Sequence, residues 1–129
     1  MWAVVPVYRV QAGFPSPAED LGGHRMDLAR LLLVHPKATY FLRASGHSMV
    51  DAGIFDNDML VVDRAVRPRH KHIVVAVVDD EFTVKTLYQQ DGRIWLRAAN
   101  SRYPDIVPHK GQTIEVWGVV TSSTKQFLM

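Results

Sequence analysis

The run Ile73-Val74-Val75-Ala76-Val77-Val78 constrains this chain more than any other stretch, because it is apolar at every position and only six residues long. A strand of that kind has two faces to bury, so it needs a neighbour on each edge and cover above and below. Asp79-Asp80 follows as a tight turn into Glu81 to Tyr88, and Asp91-Gly92 turns again into Ile94-Trp95-Leu96-Arg97-Ala98. The spacing therefore predicts three consecutive antiparallel strands, with the apolar one central in its sheet.

The flanking segments extend that pattern. Thr39 to Ala44 and Met59 to Asp63 read as strands joined by a turn-rich connection at residues 51–58. A last strand is expected from Thr113 to Thr121, with Ile114, Val116, Gly118 and Val120 on one face and Glu115, Trp117, Val119 and Thr121 on the other. At the other end, Met1 to Gln11 is apolar and β-branched, suited to an extended edge strand, and it ends at Ala12-Gly13. The prolines in Phe14-Pro15-Ser16-Pro17-Ala18-Glu19-Asp20 forbid regular structure, and Gly22-Gly23 prolongs the linker. Met26, Leu28, Leu31, Leu32 and Val34 then recur at helical spacing, with Asp27 near the start and Pro36 past the end, predicting a short helix from Met26 to His35. The expected class is mainly β, built of twisted antiparallel sheets with one short N-terminal helix. The expected division is a flexible arm over residues 1–24 and one folded domain over residues 25–129.

Composition narrows the chemistry. A chain of 129 residues with 47% hydrophobic content is one domain's worth of core. It has no cysteine, so disulfides and thiolate metal sites are excluded. His24, His35, His47, His70, His72 and His109 show no clustered spacing that calls for a metal, and nothing calls for a cofactor. The N-terminus lacks the pattern of a signal peptide, and no apolar run approaches the roughly 18 residues of a membrane span. The expectation is a soluble protein of the reducing cytoplasm, with no membrane contact. A net charge of +2 does not imply nucleic-acid binding. The basic cluster of Arg64, Arg67, Arg69, His70, Lys71 and His72 reads as a solvated loop ahead of a phosphate-binding patch.

The candidate chemistry lies in Ala44-Ser45-Gly46-His47-Ser48-Met49, a glycine-containing turn directly after a strand. Such a turn holds a hydroxyl at a bend with free backbone N–H groups beside it, the setting of a nucleophilic serine. No histidine–aspartate pair with triad character is evident near Ser48, so an activating base must come from elsewhere. Lys85 stands out, alone in Phe82-Thr83-Val84-Lys85-Thr86-Leu87-Tyr88, on the strand that pairs with the all-apolar one. Lysine acts as a base only when neutral. With a free pKa of about 10.4, only about one in a few thousand is neutral at pH 7, so its site must lower that value. Each residue has a plainer reading: Ser48 as a turn serine, and Lys85 as a lysine snorkelling from a solvated face shared with Thr83 and Leu87.

The combination resembles the LexA/UmuD family of self-cleaving Ser–Lys peptidases, peptidase family S24. The resemblance rests on Ser45-Gly46-His47-Ser48-Met49 and Phe82-Thr83-Val84-Lys85, and on the order of several further stretches. These are Gly13 to Ala18, His35-Pro36-Lys37-Ala38-Thr39-Tyr40-Phe41, Asp58-Met59-Leu60-Val61-Val62-Asp63 and Val116-Trp117-Gly118-Val119-Val120. It implies the LexA/UmuD-type fold, Ser48 as nucleophile, Lys85 as general base, and backbone at His47, Ser48 and Met49 as oxyanion donors. The implied substrate is the chain's own arm, cut between Ala12 and Gly13. It also implies stimulation by a RecA–single-stranded-DNA filament in the SOS response, a homodimeric product, and a Y-family, UmuC-like polymerase subunit as partner in error-prone translesion synthesis. The residues before Thr39 hold only one short helix, so no helix-turn-helix is expected and direct DNA binding is not expected. This favours the UmuD-like over the LexA-like side of the family. His47 stands where an acidic residue is commoner, and reads as a bystander or as an electrostatic tuner of the site. Two alternatives are a non-catalytic dimeric polymerase-binding module and a LexA-like repressor fragment. Signal peptidase chemistry shares the dyad but lacks its membrane anchor here.

Overall fold

A computed structural model describes residues 4–7, 10, 12–13 and 24–128. The chain forms two compact units, Met1–Val34 and His35–Met129. In the first, β1 (Val4–Val7) pairs antiparallel with β2 (His24–Asp27), followed by the helix α1 (Leu28–Leu32). The extended strand expected of the first segment is thus present over Val4–Val7. The proline-rich stretch 14–20 and Gly22-Gly23, read as an arm, lie outside the described residues.

The helix is shorter than its sequence spacing suggested. Asp27 caps it, its carboxylate accepting from the N–H groups of Ala29 at 3.1 Å and Arg30 at 3.4 Å. That cap fixes the first helical residue at Leu28 and leaves Met26 in β2, opposite Val5. At the other end Leu33 leaves helical geometry, and Pro36 opens a separate 3-10 turn, Pro36–Ala38.

The second unit is a six-stranded antiparallel sheet. Its strands are β3 (Thr39–Arg43), β4 (Met59–Asp63), β5 (Ile73–Val78), β6 (Glu81–Gln90), β7 (Arg93–Arg97) and β8 (Ile114–Thr124), ordered β3-β4-β8-β5-β6-β7. The apolar β5 lies inside the sheet between β8 and β6, as its two buried faces require. Two-residue turns join β5 to β6 and β6 to β7. Asp79 and Asp80 have φ of 48° and 68°, and Asp91 and Gly92 have 51° and 76°, the positive values that match a two-residue hairpin to strand twist. Successive β5 residues serve two hydrophobic clusters. Val75 joins Met49, Ile54, Leu60 and Val62, whereas Val74 and Ala76 join Leu87, Leu96 and Val119.

β8 departs from the simple alternation expected of it. Val75 faces Gly118 while the next residue, Ala76, faces Val116, so Trp117 is an extra residue in the ladder. The bulge changes parity: Ile114, Val116 and Val119 pack with one cluster, Trp117 and Val120 with the other. Gly118 sits hard against a side chain of β4, since an added Cβ would fall 2.6 Å from Val62 Cγ1. Glycine is required there by space rather than by backbone conformation.

Candidate active site

Ser48 lies in the loop that leaves β3 and returns to β4, and hydrogen bonds close that loop on itself. Ala44 N donates to Asp58 O and Asn57 N donates to Ala44 O, both at 2.8 Å. Gly46, at φ +92°, adopts a conformation that a side chain would strain, and its N–H donates to Asp56 Oδ1 at 2.8 Å. Next to the serine, Met49 is buried and packs into the hydrophobic cluster, anchoring the turn to the sheet. The loop after β7 braces the other side: Asn100 Nδ2 donates to His47 O at 2.8 Å and Asp51 N to Ala99 O at 2.7 Å. Among the described residues the N–H groups of Ser48 and Met49 make no backbone hydrogen bond.

The base of the loop is held by charge. Asp58 is buried, with its carboxylate accepting from Lys125 Nζ at 2.6 Å and from Phe55 N at 2.8 Å. Lys125, just beyond β8, also lies 4.6 Å from the Phe55 ring centroid. The Lys125 ammonium and the Phe55 N–H hold the Asp58 carboxyl below the usual carboxylate range.

Lys85 reaches this loop from β6, opposite Val74 of β5. Its Nζ lies 3.0 Å from Ser48 Oγ, 2.7 Å from Thr83 Oγ1 and 3.1 Å from Val84 O. The solvated face needed for a snorkelling lysine is not there, because Lys85 is only 8% exposed and Leu87 only 1%. Burial pushes Lys85 below its ordinary pKa, and among the described residues no acidic side chain is a hydrogen-bond partner of its amine. Ser48 and Lys85 line a groove of about 230 Å³ with Leu42, Ala44, Phe82 and Thr83 among its walls.

The other sequence candidates are placed differently. Ala12 and Gly13 belong to the first unit, where both are exposed at a bend and Gly13 has open space about its Cα. His47 is exposed, and it is its carbonyl, not its ring, that the structure engages. Among the described residues no cluster of three metal-ligating side chains occurs, and no helix is long and apolar enough to cross a membrane. Sequence reading missed Asn100 and the Asp58–Lys125 pair, because their partners are distant in sequence or are main-chain atoms, and it took Thr83 only as a neighbour of Lys85 on one face, not as a partner of its amine. It also missed a histidine–aspartate pair. His35 Nδ1 lies 2.7 Å from Asp63 Oδ2, but neither residue lines the groove at Ser48.

Comparison with known proteins agrees with this architecture. The chain is 44% identical to Protein MucA of Escherichia coli over 122 residues, which is 92% of this chain and 83% of MucA. It is 45% identical to Protein ImpA of Shigella flexneri over 113 residues, covering 88% of this chain and 77% of ImpA. With the LexA repressor of Arthrobacter it shares 40% identity over 121 residues, 93% of this chain but 47% of that repressor. The profile of the Peptidase S24-like family matches residues 5–121. A mainly antiparallel sheet, a serine loop met by a lysine, and a match over most of its length place this chain in the Peptidase S24-like family.

Proposed function

We propose that this protein cleaves its own chain between Ala12 and Gly13 with Ser48 as nucleophile and Lys85 as general base. The observation that carries the reading is a buried lysine 3.0 Å from a serine hydroxyl, with no counter-ion among the described residues. A neutral amine has two N–H groups and one lone pair. Val84 O only accepts, and Thr83 Oγ1 accepts at 2.7 Å, so the two N–H groups are taken and the lone pair faces the Ser48 hydroxyl. The ammonium form donates to all three and leaves no base, so lowering the lysine pKa is what makes the pair reactive.

In the proposed reaction Ser48 Oγ attacks the Ala12 carbonyl carbon while its proton passes to Lys85. The oxyanion takes hydrogen bonds from the N–H groups of Ser48 and Met49, and His47 acts through the main chain that Asn100 holds. Lys85 then gives the proton to the departing Gly13 nitrogen, and water, activated by the same lysine, frees the acyl group from Ser48. Small residues at Ala12 and Gly13 suit close approach of a strand to the groove.

Kinship with the MucA, ImpA and LexA proteins supports a reading of the cellular setting. The reading is a UmuD-like SOS mutagenesis protein whose cleavage is stimulated by a RecA–single-stranded-DNA filament. Its product acts as a homodimer with a Y-family, UmuC-like polymerase subunit in translesion synthesis, in the cytoplasm. The test is incubation of the purified full chain at alkaline pH and, separately, with RecA filaments at neutral pH, read by mass spectrometry. A fragment beginning at Gly13, absent from Ser48→Ala and Lys85→Ala, is expected. Intact chain under both conditions overturns the reading.

A further inference from the structure

The outer face of the β6–β7 hairpin takes no part in the Ser48 groove, yet it carries a concentration of aromatic and cationic side chains. In the β6–β7 register Tyr88 faces Trp95, Gln90 faces Arg93 and Thr86 faces Arg97. The intervening Leu87 and Leu96 are buried on the inner face, so these six side chains share the outer one. Tyr88 and Trp95 stack with ring centroids 5.6 Å apart and planes at 20°. The Arg97 guanidinium lies 4.4 Å from the Tyr88 ring centroid, and the His70 ring meets Tyr88 edge-on at 5.2 Å.

Tyr88 is therefore enclosed by its neighbours, whereas Trp95 also borders open space. It lines one cavity of about 560 Å³ with Arg93, Arg97, Val107 and Pro108, and a second of about 300 Å³ with Gln90, Asp91 and Arg93. Arg93 lines both and makes no ion pair among the described residues, while Arg97 is bound by Asp105 at 3.1 Å. The basic loop before β5 is tied to the same hairpin: Lys71 N donates to Leu87 O at 2.7 Å, and Gln89 N to His70 Nδ1 at 3.0 Å. Folding thus brings Lys71 and His70, which the sequence placed in a separate solvated loop, beside a ring platform with arginines at its rim.

We propose that this face binds single-stranded nucleic acid, with one base stacked on Trp95 and the flanking phosphates met by Arg93 and Lys71. A base presents a π-face and its backbone presents negative charge, which matches a tryptophan bordered by cations. Duplex is disfavoured because its bases already cover one another's faces. An acidic peptide satisfies the charge but leaves the stacking surface without a matching partner. This binding is independent of self-cleavage.

The test is fluorescence anisotropy of a labelled oligothymidylate with the full chain at low and moderate salt. Binding that weakens with salt is expected, with affinity lowered about tenfold or more by Trp95→Ala and largely kept by Trp95→Phe. Arg93→Gln is expected to weaken binding and flatten its salt dependence, while leaving the self-cleavage rate unchanged, which also reports an intact fold. The proposal is overturned by absence of binding at low salt or by binding indifferent to Trp95→Ala and Arg93→Gln. It is equally overturned if duplex, or a polyglutamate peptide, binds as tightly with the same Trp95 dependence.

Discussion

Three charged side chains are buried in the sheet unit, and they are treated in two ways. Asp58 has Lys125 at 2.6 Å, and Asp63 has the His35 ring at 2.7 Å and the N–H of Ala65 at 2.8 Å. Lys85, also buried, has two hydroxyls and a carbonyl. Burial raises the Asp63 carboxyl, but the His35 ring and the N–H groups of Ala65 and Val66 outweigh it, so like Asp58 it ends below the usual range. Both carboxylates are held charged, whereas Lys85 is pushed toward neutrality. A buried charge with a counter-ion tethers chain segments. A buried amine given only neutral partners is kept ready to take up a proton.

The largest effect expected from breaking this contrast is at Lys85. Lys85→Met removes the proposed base and should abolish self-cleavage, a loss of about a hundred- to ten-thousand-fold or to below detection. Its melting temperature should be unchanged or higher at neutral pH, because an uncompensated amine is replaced by an apolar side chain of similar length. A marked fall in melting temperature would show Lys85 to be a structural group and erase the contrast. Lys125→Met should do the reverse, lowering stability by about 2 kcal/mol by leaving the Asp58 carboxylate without its main partner. That figure is held down because the Lys125 side chain is 38% exposed. Cleavage should slow about tenfold, since Asp58 ties down the loop that carries Ser48, and Lys125→Arg should restore most of it.

Proton linkage separates the two classes by pH. Asp58 and Asp63 have folded pKa values below their unfolded ones, so their contribution to stability is complete above the unfolded value of about 3.9. It is lost as pH falls from there through the folded values. Denaturant midpoints measured from pH 6 down to pH 2 should fall, and less steeply in Asp58→Asn. Lys85 also has a lowered folded pKa, but there the charged form is the penalised one. Stability should therefore rise with pH between its lowered folded value and about 10.4, and Lys85→Met should remove that rise. The cleavage rate should climb over the same alkaline limb as the amine loses its proton, and a flat profile would contradict a lysine base.

What the sequence revealed and what it withheld divide along similar lines. β5 was legible because six apolar residues in a row have one solution, and its two hairpins because Asp79-Asp80 and Asp91-Gly92 fit turns of two residues. Ser48 and Lys85 were legible only as a pair, since a serine in a glycine turn and a lysine in a strand each have an ordinary explanation. The helix boundary was misplaced because Met26 fits a helical spacing and a strand equally well, and pairing with β1 decided between them. The faces of β8 were misassigned because a bulge at Trp117 depends on the partner strand. The Asp58–Lys125 pair, spanning 67 residues, has no local signature at all.

The finest test of the contrast concerns the partners of Lys85 rather than the lysine itself. Thr83 Oγ1 is the nearest of the three at 2.7 Å, closer than Ser48 Oγ at 3.0 Å. If the amine works as a neutral base, Thr83 serves to occupy one N–H and aim the lone pair at Ser48. Thr83→Val keeps the β-branched shape on β6 and removes only that acceptor, so stability should change by less than about 1 kcal/mol. The freed N–H then competes for Ser48 Oγ as a donor, turning the lone pair away. Cleavage should fall about tenfold, with its alkaline limb displaced, and Thr83→Ser should recover most of the loss. An unchanged rate and profile in Thr83→Val would mean that Val84 O alone orients the amine, leaving the hydroxyl as no more than a half-buried polar group on the groove wall.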